Sequence, residues 1–259
     1  MTFLLFERYN HFMSGLSDSI RENYLHVLDQ IADSARRSSR DPGEIRLVVV
    51  TKTHPVEVVK AAIEAGVRIL GENYAEEGVM KIQSLPVQTG VEWHMIGHVQ
   101  SRKARLVAEH FALLHSLDSL KLAHRLDRFA TEGDRILPVL LEFNVGGEAS
   151  KSGWDASEKA RWEEFLPDVA ELLELTHLQV QGLMTMPPLG TDPDDSRRYF
   201  QSLRQLRDHL AAQFPQADWH ELSMGTSADF QVAVEEGATL VRVGTAIVGA
   251  RKYKSEKEA

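Results

Sequence analysis

Lysine 52 ends an apolar run, IRLVVVT (45–51), and is followed by Thr53, His54 and Pro55. A lysine that only needed solvent would gain nothing from that place. Near neutral pH a free lysine, pKa about 10.4, is protonated and not nucleophilic. Desolvation or a neighbouring cation lowers that value and lets the amine condense with a carbonyl as a Schiff base. On position alone, a solvated strand end is the plain alternative. Two later turns add to the case. Ser223-Met224-Gly225-Thr226-Ser227 and Gly244-Thr245 bring together hydroxyls and close-approach glycines. A helix beginning near Ser227 would aim unpaired N–H groups and a positive dipole end at an anion. Arg242 would add a charged fork for phosphate oxygens. Taken alone, these are also what two ordinary capping turns contain.

Other chemistries find less support. His94 and His98 are four apart but straddle a strand end and Gly97, with no third ligand nearby, so no metal site is expected. Asp192, Asp194 and Asp195 read as a helix start. The absence of cysteine excludes disulfides, thiolate metal sites and thiol nucleophiles, and fits a reducing cytoplasm. A net charge of −9 argues against general nucleic-acid binding, which needs a basic surface. No apolar run approaches the roughly 18 residues of a membrane span. The opening MTFLLFERYNHFM carries Glu7, Arg8 and His11 and no small-residue cleavage site, so no secretory signal is expected.

The elements that position these residues follow one repeated pattern: an apolar run, a small or polar turn, an amphipathic stretch. The runs fall at 45–51, 67–70, 91–96, 111–116, 135–144, 177–184, 218–223 and 239–243. Helical spacing marks 17–38, the stretch after Pro55 up to Gly66, 158–175 and 196–212. Several runs are continuous in Val, Ile and Leu, as in parallel strands covered on both faces. Eight such units in 259 residues predict a closed (β/α)8 TIM barrel, whose usual length is about 250 residues. An open dinucleotide-binding sheet would carry a glycine-rich turn after its first strand, and 51–55 contains no glycine. We read one domain at 17–254, an N-terminal extension at 1–16, whose residues 1–12 would be loosely held if the domain starts at Met13, and a tail at 255–259.

In such a barrel the functional residues sit at the C-terminal ends of the strands. Lys52, Gly71-Glu72-Asn73-Tyr74, His94 to Gly97, His115 to Asp118, Asn144, Met184 to Pro187 and the two glycine-containing turns all fall there. A lysine and a phosphate cradle in one mouth outline a pyridoxal 5′-phosphate (PLP) site. They equally suit a Schiff-base aldolase that binds a sugar phosphate.

Longer segments carry a specific resemblance. VVVTKTHP around Lys52, GENYAEE (71–77), WHMIGHVQSRK (93–103), HSLDS (115–119), NVGGEASKSG (144–153), GLMTM (182–186), LSMGTSADF (222–230) and GATLVRVGTAIVGARKY (237–253) occur in order. Over roughly 17–253 the chain resembles the YggS/PROSC family of pyridoxal phosphate homeostasis proteins. The resemblance implies the barrel of the alanine racemase N-terminal domain, the third fold type of PLP proteins, with PLP as a Schiff base on Lys52. It places Ser223, Thr226, Arg242 and Gly244 in the phosphate-binding turns and Asn73 beside the cofactor. Met184, Met224 and His94 would line the pocket, with Gly225 and Thr245 completing the turns. Thr226, Val99 and Arg102 depart from the residues usual in that family. It also implies a cytoplasmic, monomeric carrier without a catalytic residue, serving PLP-dependent apoenzymes. The alternative is an amino-acid racemase or decarboxylase. A racemase needs a second acid/base opposite the lysine, supplied in alanine racemases by a further domain, and the chain ends soon after its eighth strand. Tyr74 is the tyrosine near the mouth that could serve instead, although packing onto the helix beside it is the simpler role.

Overall fold

The computed structural model describes residues 2–86, 90–188 and 190–250. Positions 251–254 and the 255–259 tail lie outside them. The strands are β1 (Arg46–Val50), β2 (Ile69–Glu72), β3 (Glu92–Met95), β4 (Leu113–Leu117), β5 (Leu137–Asn144), the short β6 (Trp154–Asp155), β7 (Leu178–Met184), β8 (Glu221–Ser223) and β9 (Leu240–Val243). All pairings are parallel. Leaving β6 aside, the strands neighbour one another in chain order, and β9 pairs with β1 to close an eight-stranded barrel. This is the TIM barrel expected from the eight apolar runs. β6 was not expected; it adds to β5 through Phe143 and Asn144.

Around the barrel lie α1 (Thr2–Arg37), α2 (Val56–Glu64), α3 (Ala75–Ser84), α4 (Ala104–His110), α5 (Leu120–Glu132), α6 (Leu166–Leu173), α7 (Arg197–Gln213), α8 (Phe230–Glu235) and α9 (Thr245–Val248). The outer core is apolar and continuous between strands and helices, with Leu47, Val49, Leu70, Phe111, Leu126, Phe143 and Leu203 among its buried members. Burial on this scale is the main stabilising contribution to such a fold.

Three helical expectations change. The helix read at 17–38 begins at Thr2, so the backbone of 2–16 continues α1. Met13 is buried, and Ser17 Oγ donates to the Ala61 carbonyl at 3.3 Å. The 158–175 stretch divides into a 3-10 turn, Lys159–Glu164, and α6. Pro167 is the physical reason, because proline lacks an N–H and suits the first turn of a new helix. The helix expected near Ser227 begins only at Phe230.

Inside the barrel the side chains form layers. At the N-terminal mouth, Arg46 pairs with Glu221 and approaches Glu92 at 3.9 Å. Above these lies a small apolar cluster of Val48, Leu113, Leu140, Met184 and Leu240, with Ile69 and Ile96 against it. β7 reaches this interior through a bulge. Its partner on β5 steps from Val139 to Leu140 while β7 steps from Val180 to Gly182. Val180 belongs to the outer core and Met184 to the interior, although strict alternation would put both on one face. Gly182 permits the shift, with φ 148° and the Glu221 carbonyl 1.9 Å from where a Cβ would stand.

Candidate functional site

The C-terminal ends of the strands surround a cavity of about 620 Å³, within the range of small-molecule sites. Val50 and Lys52 reach it from β1, Asn73 from β2, Ile96, Gly97 and His98 from β3, and Glu142 from β5. Met184, Met186 and Pro187 follow β7, Thr226 to Ala228 follow β8, and Arg242, Gly244 and Thr245 close the ring. The loop Ser150-Lys151-Ser152 covers one side. Close approach matters at Gly97, where a Cβ would lie 2.4 Å from the Asn73 carbonyl oxygen.

Of the residues singled out from sequence, Lys52, Asn73, Met184, Thr226, Arg242, Gly244 and Thr245 line this one cavity. Four others do not. Met224 is fully buried in the outer core, and Gly225 takes φ 91° so that the turn can pack on Ala233 of α8. Ser223 is buried, and its hydroxyl is held by Arg242 and by His115 Nδ1 at 2.7 Å. His94, expected to line the pocket, lies in the barrel interior below it, because it stands two residues before Ile96, which does line it. Tyr74 is 56% exposed and outside the lining, so it does not face the cavity.

The turns also differ from the simple cradle. Thr226 gives both its N–H (2.7 Å) and its hydroxyl (3.0 Å) to Asp229 Oδ1, which fixes the turn and occupies these donors. Gly244 N–H donates to Ser227 Oγ at 3.2 Å, joining the two turns. Ser227 and Thr245 present exposed hydroxyls at the mouth. The Arg242 fork is turned onto the protein: one terminal nitrogen donates to Ser223, the other to the Thr185 carbonyl at 2.9 Å and to Met186 Sδ at 2.9 Å. Burial lowers its pKa to about 10, with Asp229 and Glu142 opposing the shift. Arg242 thus stays cationic at neutral pH and puts a buried positive charge on the cavity floor.

Beneath Arg242 the sequence signals His94, His115 and Ser223 join in one chain. Arginine carries donors only, so Ser223 Oγ accepts there and gives its own proton to His115 Nδ1. His115 then carries its proton on Nε2 and donates to His94 Nδ1 at 3.0 Å, and His94 Nε2 donates to Glu92 at 3.2 Å. Burial pushes both imidazoles below the usual histidine range, His115 further, so both are neutral. The chain runs from the cavity floor to the opposite mouth of the barrel.

Sequence reading missed Glu142. Burial, reinforced by nearby Asp118, raises its carboxyl to about 7, while Arg242, His98 and Lys151 pull the other way. Its only signal was a charged residue inside the apolar run VLLEFN. No group of three or more acidic or histidine side chains suited to a metal occurs among the described residues.

The donor set fits PLP: a lysine for its aldehyde, two hydroxyl-bearing turns for its phosphate and a buried arginine for its negative charge, all on one cavity. Comparisons with known proteins agree in fold and family. The family described as alanine racemase, N-terminal domain, matches residues 25–252. A pyridoxal phosphate homeostasis protein of Vibrio alginolyticus is 42% identical over 239 residues, covering 91% of this chain and 99% of that one. One from Escherichia coli K12 is 41% identical over 245 residues, covering 92% and 100%. The structure of PipY from Synechococcus elongatus PCC7942 with PLP bound superposes with a TM-score of 0.71 at 37% identity, over 85% of this chain and 100% of that one. An alanine racemase of Clostridium difficile 630 shares the fold alone, with TM-score 0.66 and 17% identity over 92% of this chain and 58% of its own. By sequence over nine-tenths of its length and by the architecture of its barrel, the chain belongs to the pyridoxal phosphate homeostasis proteins, within the family of the alanine racemase N-terminal domain.

Proposed function

We propose that the chain holds PLP in this cavity through Lys52 and serves PLP homeostasis, as a cytoplasmic monomeric carrier that supplies PLP-dependent apoenzymes and runs no metabolic reaction. The observation that carries the reading is the meeting of Lys52 with the β8 and β9 turns in one cavity of a chain from this family. PLP, when bound, supplies an aldehyde that links reversibly to an amine and a phosphate that anchors it. Lys52 provides the amine at the end of β1. Ser227, Thr245 and the Thr226 and Gly244 turns take the phosphate, with Asn73 and Met184 beside the ring. Arg242 favours an anionic ligand from the floor and is itself held by Ser223.

The test is chemical. The protein loaded with PLP should absorb in the visible range, and borohydride followed by peptide mapping should place the adduct on Lys52. Lys52→Ala should lose the visible band. Pyridoxal, lacking the phosphate, should bind more weakly by the worth of charge-assisted hydrogen bonds, about 1.5–3 kcal/mol each. An adduct mainly on another lysine, or equal affinity for the two compounds, would overturn the assignment. Capture of a sugar phosphate without any visible band would favour the aldolase reading.

A further inference from the structure

The turn that presents Lys52 is held from behind by a buried charged cluster with no part in the site described so far. Lys81, on the inner face of α3, is 1% exposed. Its Nζ donates at 2.7 Å to each of three oxygens: the Thr51 carbonyl, Glu72 Oε1 and Glu77 Oε1. An ammonium has three protons, so all are used. Glu72, at the end of β2 and 0% exposed, also accepts from Thr51 Oγ1 at 2.6 Å. Glu77 accepts the Thr53 N–H at 2.6 Å. The carbonyl before Lys52 and the N–H after it are therefore bound to one cluster. Thr53 itself has φ 63°, a region that β-branched residues rarely enter. Such a conformation persists where its surroundings over-determine it.

Stability alone accounts poorly for this arrangement. Lys81 and Glu72 are both taken from water where apolar side chains of similar volume would fill the space at less cost. Glu72 Oε2 is buried without a partner among the described residues, an added penalty. α3 is also pressed close: a Cβ on Gly78 would lie 2.6 Å from the Phe111 ring and 3.3 Å from Glu72 Cβ. Helix, strand end and turn form one rigid support.

We propose that Lys81, Glu72 and Glu77 are positioning residues that fix the direction in which Lys52 enters the cavity, and so set how fast it captures the PLP aldehyde. The inference rests on Lys52 being the capturing residue. In capture, the Lys52 ammonium first gives a proton to solvent. The neutral amine then adds to the aldehyde carbon, a C=N bond forms, and the carbonyl oxygen leaves as water. The cluster makes none of these bonds; it holds the backbone on both sides of the nucleophile.

Glu77 is the residue to change first, because its side chain is 22% exposed and its loss leaves the buried Lys81–Glu72 pair in place. Two quantities separate positioning from general damage: the rate at which PLP is captured, followed by absorbance and borohydride trapping on Lys52, and the affinity for pyridoxine 5′-phosphate. That analogue has an alcohol in place of the aldehyde and cannot link to a lysine. Glu77→Ala should slow capture about tenfold to a hundredfold, the effect of a small misplacement of a reacting group. Its affinity for the alcohol should be unchanged. Glu77→Gln, which keeps an oxygen for the Thr53 N–H, should recover most of the rate. Lys81→Met should slow capture at least as much, and should it fail to fold, Glu77→Ala decides. Unchanged capture in Glu77→Ala, or a parallel loss of affinity for the alcohol, overturns the proposal. A wild-type protein that captures PLP on a different lysine overturns the reading beneath it instead.

Discussion

Glu142 is an acid whose environment makes it titrate near neutrality, at about 7, beside a lysine and an arginine that share its cavity. Its pKa is higher in the folded chain than in the unfolded one, so between those values the native state binds more protons. Stability must then fall as pH rises through this window and stay reduced above it. Glu142→Gln removes the ionisation. It should raise the melting temperature above pH 7, by an amount equivalent to about 1–3 kcal/mol, with the gain shrinking to nothing as pH falls toward the ordinary glutamate range. A gain independent of pH, followed by thermal unfolding of the ligand-free protein, would show that burial does not perturb this carboxyl. Lys52 could be singled out in the sequence because it ends an apolar run. Glu142 could not, because a strand buried on both faces lacks the alternation that reveals an inward residue. His94 shows a related limit. Its place on β3 can be read from the sequence, but its depth depends on the stagger of β3 against β2, where it pairs with Gly71.

At the scale of elements, β3, β4, β8 and β9 together build the chain Glu92–His94–His115–Ser223–Arg242. Its direction follows from arginine having no acceptor. Both imidazoles should therefore be neutral Nε2–H tautomers at neutral pH, and His115, whose burial pushes it further down, should stay neutral as pH falls to the ordinary histidine pKa of about 6.5. Imidazole nitrogen NMR reads this directly, and an Nδ1–H ring at either position would reverse the assigned direction. His115→Leu should leave the Ser223 hydroxyl proton without an acceptor and His94 Nδ1 without a donor, at about 1–3 kcal/mol for each buried group, measured by denaturant unfolding. The four motifs carrying these residues could be read from the sequence as strand ends, but their contact could not, since it depends on barrel closure. The Gly182 bulge was equally hidden. Without it, Met184 would share the outward face of Val180 rather than reach the cavity.

Taken as a whole, the molecule presents one face crowded with reactive groups, and this bears on whether it turns over amino acids. The barrel and the shared mouth could be read from the repeat of apolar runs, but that reading found no second acid or base beside Lys52 apart from Tyr74. The structure removes Tyr74 from the cavity and brings in Glu142, His98 and Lys151. A racemase or decarboxylase needs such a group positioned at the reacting carbon, so the presence of candidates alone does not make an enzyme. His98 is committed to Asp118 at 2.7 Å. Glu142, half-buried near the floor, has no hydrogen bond among the described residues that would fix its direction. A catalytic base is ordinarily held by a third group. The PLP-loaded protein should therefore show no sustained racemisation or carbon dioxide release across a panel of amino acids. Chirality and carbon dioxide are the quantities to follow, in wild type and in Lys52→Ala and Glu142→Gln. Turnover by the wild type that vanished in both variants would make Lys52 and Glu142 a catalytic pair and the carrier reading wrong.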